Sequence, residues 1–185
     1  MTITTNSKKP ESIKALTMIS TVIVIASVVM ITVWQIPKAI AASLEQLRVS
    51  HKISAPVDQV WKIVSDVDND TKYWSTFKNI KNINKTDNII EREVTITAGP
   101  QDAKTHQFVI VNPELRLIQT NITEGPITGS RVLILSPSSD SNATKIDVLW
   151  NIDMSNIPAI IRGFAKDSFM KTTEEALNKI AQIAE

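Results

Sequence analysis

The sequence lacks cysteine and is poor in the residues on which common catalytic sites depend. Without cysteine there are no disulfides, thiolate nucleophiles, iron–sulfur clusters or cysteine-ligated zinc sites. Two histidines, His51 and His106, are too few for an all-histidine zinc site. Four glycines leave no phosphate-binding loop of the GxGxxG or GxxxxGKS/T kind. We therefore expect no metal and no cofactor.

The charge of the chain is balanced, which excludes a second class of function. The chain contains twenty Lys and Arg residues and nineteen Asp and Glu residues, and its formal net charge is +1. No basic excess is available to neutralise a phosphate backbone, so we expect no nucleic-acid partner. A hydrophobic fraction of 43% is too high for an intrinsically disordered chain.

One apolar run stands out near the amino terminus. Residues 15–37 carry no charged side chain, and they are long enough as a helix to cross the hydrocarbon core of a bilayer. The run predicts an uncleaved transmembrane signal anchor containing Leu16, Ile23, Val29 and Trp34. A buried helix of a globular domain would need a polar face, which is missing here. A cleaved signal peptide remains open, because Ala39-Ile40-Ala41 fits a cleavage site, although the run exceeds the usual apolar length.

The anchor divides the chain into four predicted parts. Residues 1–14 form a tail, 15–37 the anchor, 38–46 a short helical connector and 47–185 the main domain. Three lysines precede the run, whereas only Lys38 and Arg48 closely follow it, which favours a single-pass protein with its domain on the extracytoplasmic side. Four Asn-x-Ser/Thr sequons suit an exported domain, but the Asn, Ser and Thr content of the chain produces some by chance, so they add little: Asn69, Asn84, Asn121 and Asn142.

Hydrophobic periodicity predicts an α+β order for the main domain. Apolar and polar residues alternate over 47–53, as in a half-buried strand, and helical spacing follows over 56–66. A second short helix over 70–79 should present Tyr73, Trp74 and Phe77 on one side. Turn signals then separate six antiparallel strands at 79–84, 89–98, 104–111, 114–123, 127–136 and 143–153.

A long helix over 158–183 closes the chain, with a predicted apolar stripe on one face: Ile161, Phe164, Ala165, Phe169, Thr173, Ala176, Ile180 and Ile183. A curved antiparallel sheet wrapped around this helix would bury both apolar faces.

The order of elements and one motif resemble a known superfamily. The motif is Val49-x-His51-x-Ile53-x-Ala55-Pro56-x-x-x-Val60-Trp61-x-x-Val64-x-Asp66, followed by the aromatic stretch Tyr73-Trp74-Ser75-Thr76-Phe77. Together they resemble the START-like (SRPBCC) superfamily, in particular its polyketide cyclase and coenzyme-Q-binding members, over residues 46–184. The resemblance implies a helix-grip fold whose sheet and last helix enclose an apolar cavity.

Candidate cavity residues follow from that implied fold. Large apolar side chains on amphipathic elements would line the cavity if it exists and would otherwise be core, and hydroxyls of Ser168 and Thr172 could meet a ligand. The candidate lining comprises His51, Trp74, Phe77, Phe108, Leu133, Trp150, Phe164 and Ser168.

Polar residues offer weaker candidates. His51 alternates with Val49 and Ile53, so it is expected on the buried face of the first strand, either as a general base or ligand contact or as a hydrogen-bonded core imidazole. His106 is expected to be exposed. Arg131 and Asp147 could meet across a hairpin, as a ligand anchor or as a surface pair.

Three aspartates imitate the start of a calcium loop without completing it. Asp66, Asp68 and Asp70 have the spacing of an EF-hand, but Thr71 and Phe77 replace the required glycine and glutamate. The stretch instead predicts an acidic, solvated helix end.

These features favour a membrane-tethered protein that binds a hydrophobic small molecule, such as a lipid, an isoprenoid quinone or a polyketide-like compound. The expected partners are this ligand and the bilayer, and the sequence identifies no protein partner. One alternative is a polyketide cyclase or dehydratase that uses His51 in the cavity. Another is an interaction domain with a filled core and no ligand.

Overall fold

The computed structural model describes residues 44–98, 101–139 and 142–185. Seven antiparallel strands form one sheet: β1 (Leu44–Ile53), β2 (Phe77–Thr86), β3 (Ile89–Ala98), β4 (Gln101–Asn112), β5 (Leu117–Glu124), β6 (Thr128–Pro137) and β7 (Thr144–Asp153). Their order in the sheet is β1-β7-β6-β5-β4-β3-β2. The helices are α1 (Val57–Val64), a 3-10 helix (Val67–Lys72) and α2 (Ala159–Ala184).

The strands form where the sequence alternates apolar and polar residues. In β7, Ile146, Val148, Trp150 and Ile152 are all buried on the inner face. β1 pairs with β7 in a register that places Val49 opposite Val148. Each of β2 to β6 pairs with the strand that follows it in sequence, so the predicted meander is confirmed.

Two local predictions were wrong in detail. β1 begins at Leu44, so the last three residues of the predicted helical connector are extended and pair with the end of β7. The short helix predicted over 70–79 is a 3-10 helix that ends at Lys72. Phe77 is the first residue of β2, where its pairing with Ile96 favours the strand over a further helical turn.

Irregularities in the sheet help it to curve. Register shifts interrupt the β2–β3 and β4–β5 ladders, and such bulges bend a strand and increase its twist. Gly129 in β6 has φ +137°, and a Cβ there would lie 2.1 Å from the carbonyl oxygen of Asn151. Only glycine fits this close approach of the paired strands β6 and β7. The resulting curved sheet with its long last helix is a helix-grip arrangement, as predicted.

The core lies beneath α1 and the second half of α2. All fully buried residues of α2 belong to its carboxyl-terminal half: Thr173, Ala176, Leu177, Ile180, Ala181 and Ala184. The predicted apolar stripe is therefore correct only in part. Ile161 and Phe164 are 50% and 79% exposed, because the first half of α2 does not rest on the core. Ile183 is 53% exposed, because the buried face continues from Ile180 through Ala184 instead.

The predicted anchor at 15–37, with Leu16, Ile23, Val29 and Trp34, lies outside the described residues. Within 44–98, 101–139 and 142–185, no helix is both long and apolar enough to cross a bilayer.

Candidate functional site: an apolar cavity beneath the last helix

A cavity of about 510 Å³ lies between the inner face of the sheet and the first half of α2. Its size falls in the range of small-molecule sites, and its lining is mainly apolar. The sheet contributes inward-facing residues of β4, β5, β6 and β7: Thr105, Gln107, Thr120, Ile122, Arg131 and Trp150. The helix contributes Ile161, Phe164, Ala165, Ser168, Phe169 and Thr172.

The cavity lies where the inner face of the sheet changes from apolar to polar side chains. At the cavity end, the inner face carries Thr105 and Gln107 on β4 and Thr120 on β5. At the core end, the same strands carry Val109 and Ile118. Thr105 and Gln107 also hydrogen-bond to each other, Nε2 to Oγ1 at 3.0 Å, which keeps both against the sheet. The first half of α2 is held off this surface and leaves the space open.

Aromatic side chains form one wall of the cavity. Trp74 stacks on Phe77 with ring centroids 6.0 Å apart and meets Trp150 edge to face at 5.9 Å. Trp150 in turn contacts Phe169 of α2 at 5.4 Å and donates its Nε1 hydrogen to Thr173 Oγ1 at 3.0 Å. These contacts join the sheet, the loop after the 3-10 helix and α2 into a defined wall.

A buried ionic cluster lies behind the aromatic wall. Arg92 of β3 is completely buried and donates from Nη2 to Asp70 Oδ2 at 2.7 Å. Its Nη1 donates to the carbonyl oxygen of Val67 at 2.9 Å and its Nε to Gln107 Oε1 at 3.2 Å. Because every nitrogen of Arg92 has an acceptor, this guanidinium fastens the 3-10 helix to the sheet.

Arg131 of β6 is the second cation of the cluster and lines the cavity. Its guanidinium carbon lies 4.3 Å from the ring centroid of Trp74 and 5.6 Å from that of Trp150. Nη2 donates to Thr120 Oγ1 at 3.2 Å and is 3.5 Å from Asp70 Oδ2. Nε and Nη1 are buried and have no hydrogen-bond partner. Arg131 is thus held by ring faces and by one of its three nitrogens.

The cluster has an excess of positive charge. Two guanidinium groups share the single carboxylate of Asp70. Burial lowers the pKa of Arg131, and the nearby Asp70 carboxylate opposes that shift. Burial, reinforced by Asp70, raises the pKa of the Tyr73 hydroxyl, so Tyr73 stays neutral and adds no second anion. The cavity therefore combines an apolar lining with one under-compensated cation.

Five of the eight candidate lining residues lie on the cavity wall. They come from the aromatic stretch, β7 and α2: Trp74, Phe77, Trp150, Phe164 and Ser168. Thr172 also lies on the wall. Whether any of them binds a ligand stays a prediction.

The other three candidates lie elsewhere. Phe108 is on the outer face of β4 against His106, because Thr105, Gln107 and Val109 take the inner positions of that strand. Leu133 faces inward but is buried in the core two residues beyond Arg131. His51 is half-buried on β1, opposite Ile146, and is not part of the wall.

Arg131 and Asp147 do not meet across the hairpin. Arg131 pairs in register with Trp150, whereas Asp147 lies opposite Ile134 and points to the outer face. There it accepts hydrogen bonds from Ser50 and from Arg48, whose Nη2 is 2.9 Å away.

Two further predictions concerned polar residues. His106 is half-buried rather than exposed, because its ring nitrogens hydrogen-bond to Thr123 at 3.0 Å and to Glu91 at 2.9 Å. Asp70 is not part of a solvated helix end, since it is 2% exposed and bound to Arg92. In the described ranges no three acidic or histidine residues are grouped as metal ligands would be.

Arg92 was missed by the sequence analysis, although a signal was present. Ile90, Arg92 and Val94 alternate along β3, so a cation stands where the pattern calls for an apolar residue. On β6, Arg131 likewise alternates with Leu133 and Leu135, so it too stands where the pattern calls for an apolar residue. A charged residue in the apolar phase of a strand indicates a buried, paired group.

The comparisons with known proteins agree with this geometry. The family described as polyketide cyclase / dehydrase and lipid transport matches residues 53–178. A protein from Thermus thermophilus has a similar structure with a TM-score of 0.66 at 13% identity, covering 75% of this chain and 95% of that one. None of the curated proteins matches the chain in sequence.

Two other solved structures are also similar to it. The Zhui aromatase/cyclase from Streptomyces sp. R1128 has a TM-score of 0.66 at 12% identity, with 76% of this chain and 93% of that one covered. A START superfamily protein from Mycobacterium smegmatis has a TM-score of 0.63 at 13% identity, with 75% and 98% covered. These neighbours confirm the START-like fold. Because the family match spans more than half of the residues of the chain, the chain belongs to the polyketide cyclase / dehydrase and lipid transport family.

Proposed function

We propose that the protein binds a hydrophobic small molecule, such as a lipid, an isoprenoid quinone or a polyketide-like compound, in the cavity beneath α2. The observation that carries this proposal is the unfilled, mainly apolar space of about 510 Å³ next to a well-packed core. An interaction domain with a filled interior would have no such space. The description of the family, which includes lipid transport, supports the same function.

The entrance of the cavity is apolar as well. Phe164 and Ile161 line the cavity and yet are 79% and 50% exposed, so apolar surface continues from the interior to the outside. Exposed apolar patches on a folded domain commonly mark binding surfaces. A hydrophobic ligand could pass this entrance without losing apolar contact.

The proposal includes a tether to the membrane through residues 15–37, with the domain on the extracytoplasmic side. An apolar ligand dissolves in the bilayer and is scarce in water. Holding the cavity beside the bilayer raises the effective concentration of the ligand without adding any contact. The support for this part is the uncharged run in the sequence.

A cyclase or dehydratase has weaker support. Such an enzyme needs an acid and a base near the substrate, and His51 was the only candidate in the sequence. Among the described residues, the cavity wall contains neither histidine nor a carboxylate. The family description and the Zhui aromatase/cyclase leave this reaction as the second candidate, and Arg131 is the one group on the described part of the wall able to polarise a carbonyl through its charge.

A cavity-filling substitution tests the binding function. Ala165→Trp places an indole on the wall of the cavity, and we expect the variant to lose bound apolar compounds while keeping its fold. Native mass spectrometry and solvent extraction of the purified protein, incubated with membrane extract, would measure the bound material. The native chain should carry it.

Gly163→Trp provides the matched control. It adds the same side chain to the same helix, at a position where an added Cβ meets nothing within 4 Å and which is not on the wall. We expect this variant to retain the apolar compounds. A native chain that stays empty after incubation, or equal loss in both variants, would contradict the proposal.

A further inference from the structure

Arg131 brings unpaired hydrogen-bond donors to a cavity whose lining is otherwise mainly apolar. The residue is 2% exposed, it lines the cavity, and its Nε and Nη1 have no partner in the protein. Buried polar atoms without partners are rare, because the lost hydrogen bonds to water are not replaced. Three N–H bonds of one guanidinium are therefore left for something other than the protein.

The aromatic rings around Arg131 do not accept these hydrogen bonds. Trp74 and Trp150 lie 4.3 Å and 5.6 Å from the guanidinium carbon and stabilise its charge through their π faces. A ring face offers no lone pair in the plane of the N–H bonds. The stacking explains why Arg131 is tolerated in the interior, but leaves its donors unsatisfied.

The surplus positive charge of the cluster favours an anionic acceptor over a neutral one. Asp70 is the only carboxylate of the cluster and gives its closest contact, 2.7 Å, to Arg92, against 3.5 Å to Arg131. A neutral oxygen would accept hydrogen bonds and leave the surplus positive charge in place. An anionic oxygen would satisfy both the donors and the charge.

We infer that the ligand is an amphiphile with a single carboxylate, whose apolar body fills the cavity and whose carboxylate binds against the guanidinium of Arg131 and compensates its charge. The inference rests on the proposed binding function and narrows its ligand class. Within the parts of the chain that the structure describes, Arg131 is the one charged residue on the cavity wall, so the anion has a single place to bind. The same arrangement discriminates against cationic amphiphiles.

Three probes with one chain length test this inference. Decanoic acid, 1-decanol and decylamine differ in the charge of the head group, and binding to the full chain can be followed by tryptophan fluorescence, since Trp74 and Trp150 lie on the wall. At neutral pH we expect decanoate to bind about 10- to 100-fold more tightly than decanol, and decylamine to bind least.

Substitution of Arg131 assigns the preference to this residue. Arg131→Met keeps the bulk and removes the charge, and we expect it to abolish the advantage of decanoate over decanol. Arg131→Lys keeps a charge without the planar donors, and should retain part of the advantage. Binding of decanol also reports that each variant is folded.

Each outcome separates this inference from the function on which it rests. If decanol binds the native chain as tightly as decanoate, or if Arg131→Met keeps the preference, the carboxylate inference is overturned and cavity binding stands. If no probe binds and the native chain carries no apolar compound, both fail. Should Arg131→Met not fold, the three affinities of the native chain and those of Arg131→Lys still decide.

Discussion

Burial determines what each charged residue contributes to this protein. Arg92 and Asp70 are almost completely buried, and removing one partner from such a pair typically costs about 3–5 kcal/mol, because the other charge is left in the interior. Lys78 and Asp102 are just as close, at 2.6 Å against 2.7 Å. Both of their side chains are about half-exposed, however, and such pairs contribute about 1 kcal/mol or less. Contact distance alone does not distinguish the two pairs.

Asp147 is an intermediate case that makes stability depend on pH. Burial raises its pKa, but hydrogen bonds from Ser50, Lys145 and Arg48 outweigh this effect and bring the pKa down to about 2. Because the pKa is lower in the folded than in the unfolded chain, Asp147 stabilises the fold above about pH 4. That contribution is lost as the pH falls from about 4 to 2.

We predict that Asp147→Asn lowers the free energy of unfolding by about 1–2 kcal/mol at pH 7, after allowance for the exposed partners Arg48 and Lys145. The difference from the native chain should vanish near pH 2. Urea unfolding at several pH values measures it. Asp102→Asn is the control and should cost less than about 1 kcal/mol; an equal loss in both variants would refute the assignment.

At the scale of elements, α2 consists of two halves with different surroundings. From Thr173 onward the helix rests on the core, and its end is fixed where Gln59 Nε2 donates to the carbonyl oxygen of Ala184 at 2.6 Å. From Ala159 to Thr172 it covers the cavity, and none of its residues is fully buried. Helix propensity and the ion pair of Lys166 with Glu45, at 2.7 Å, support this half.

We therefore predict that residues 159–172 exchange their amide hydrogens faster than residues 173–184, since local opening costs less where few apolar contacts are lost. An apolar ligand in the cavity should slow exchange in the first half and leave the second unchanged. Hydrogen exchange with mass spectrometry, with and without decanoate, measures this. Uniform protection along α2 in the empty protein would contradict the prediction.

The sequence was sufficient for the elements and for much of the cavity wall but not for the ionic cluster, and particular residues show why. Alternation over β7 and helical spacing over α2 are local patterns, so the strands and the last helix were predicted within a few residues. The ionic cluster joins Asp70, Arg92 and Arg131, which lie far apart in the sequence. Nothing local distinguishes Asp70 from Asp66 and Asp68, which remain exposed.

On the scale of the whole molecule, one feature of the sequence predicts where the chain resides. The uncharged run at 15–37 precedes the domain that contains the cavity, and it is long enough to hold that domain at a bilayer. A charged residue near the middle of a membrane helix costs about 2.5–3.5 kcal/mol on insertion scales. Two such residues should prevent insertion.

We predict that the native chain stays with the membrane fraction after an alkaline carbonate wash, and that the double variant Ile23→Arg, Val29→Arg is released. The double variant Ile23→Leu, Val29→Leu is the matched control and should stay. Immunoblots of the pellet and the supernatant measure this. Recovery of the native chain in the supernatant would show that residues 15–37 do not anchor it.

The division of α2 has a consequence for how the protein can change over evolutionary time. Residues that cover the cavity, such as Ala165 and Ser168, carry little of the packing on which folding depends. Mutations there can reshape the cavity at small thermodynamic cost, while the buried half of α2 preserves the architecture. Ligand preference can diverge among descendants of this chain long before their fold does.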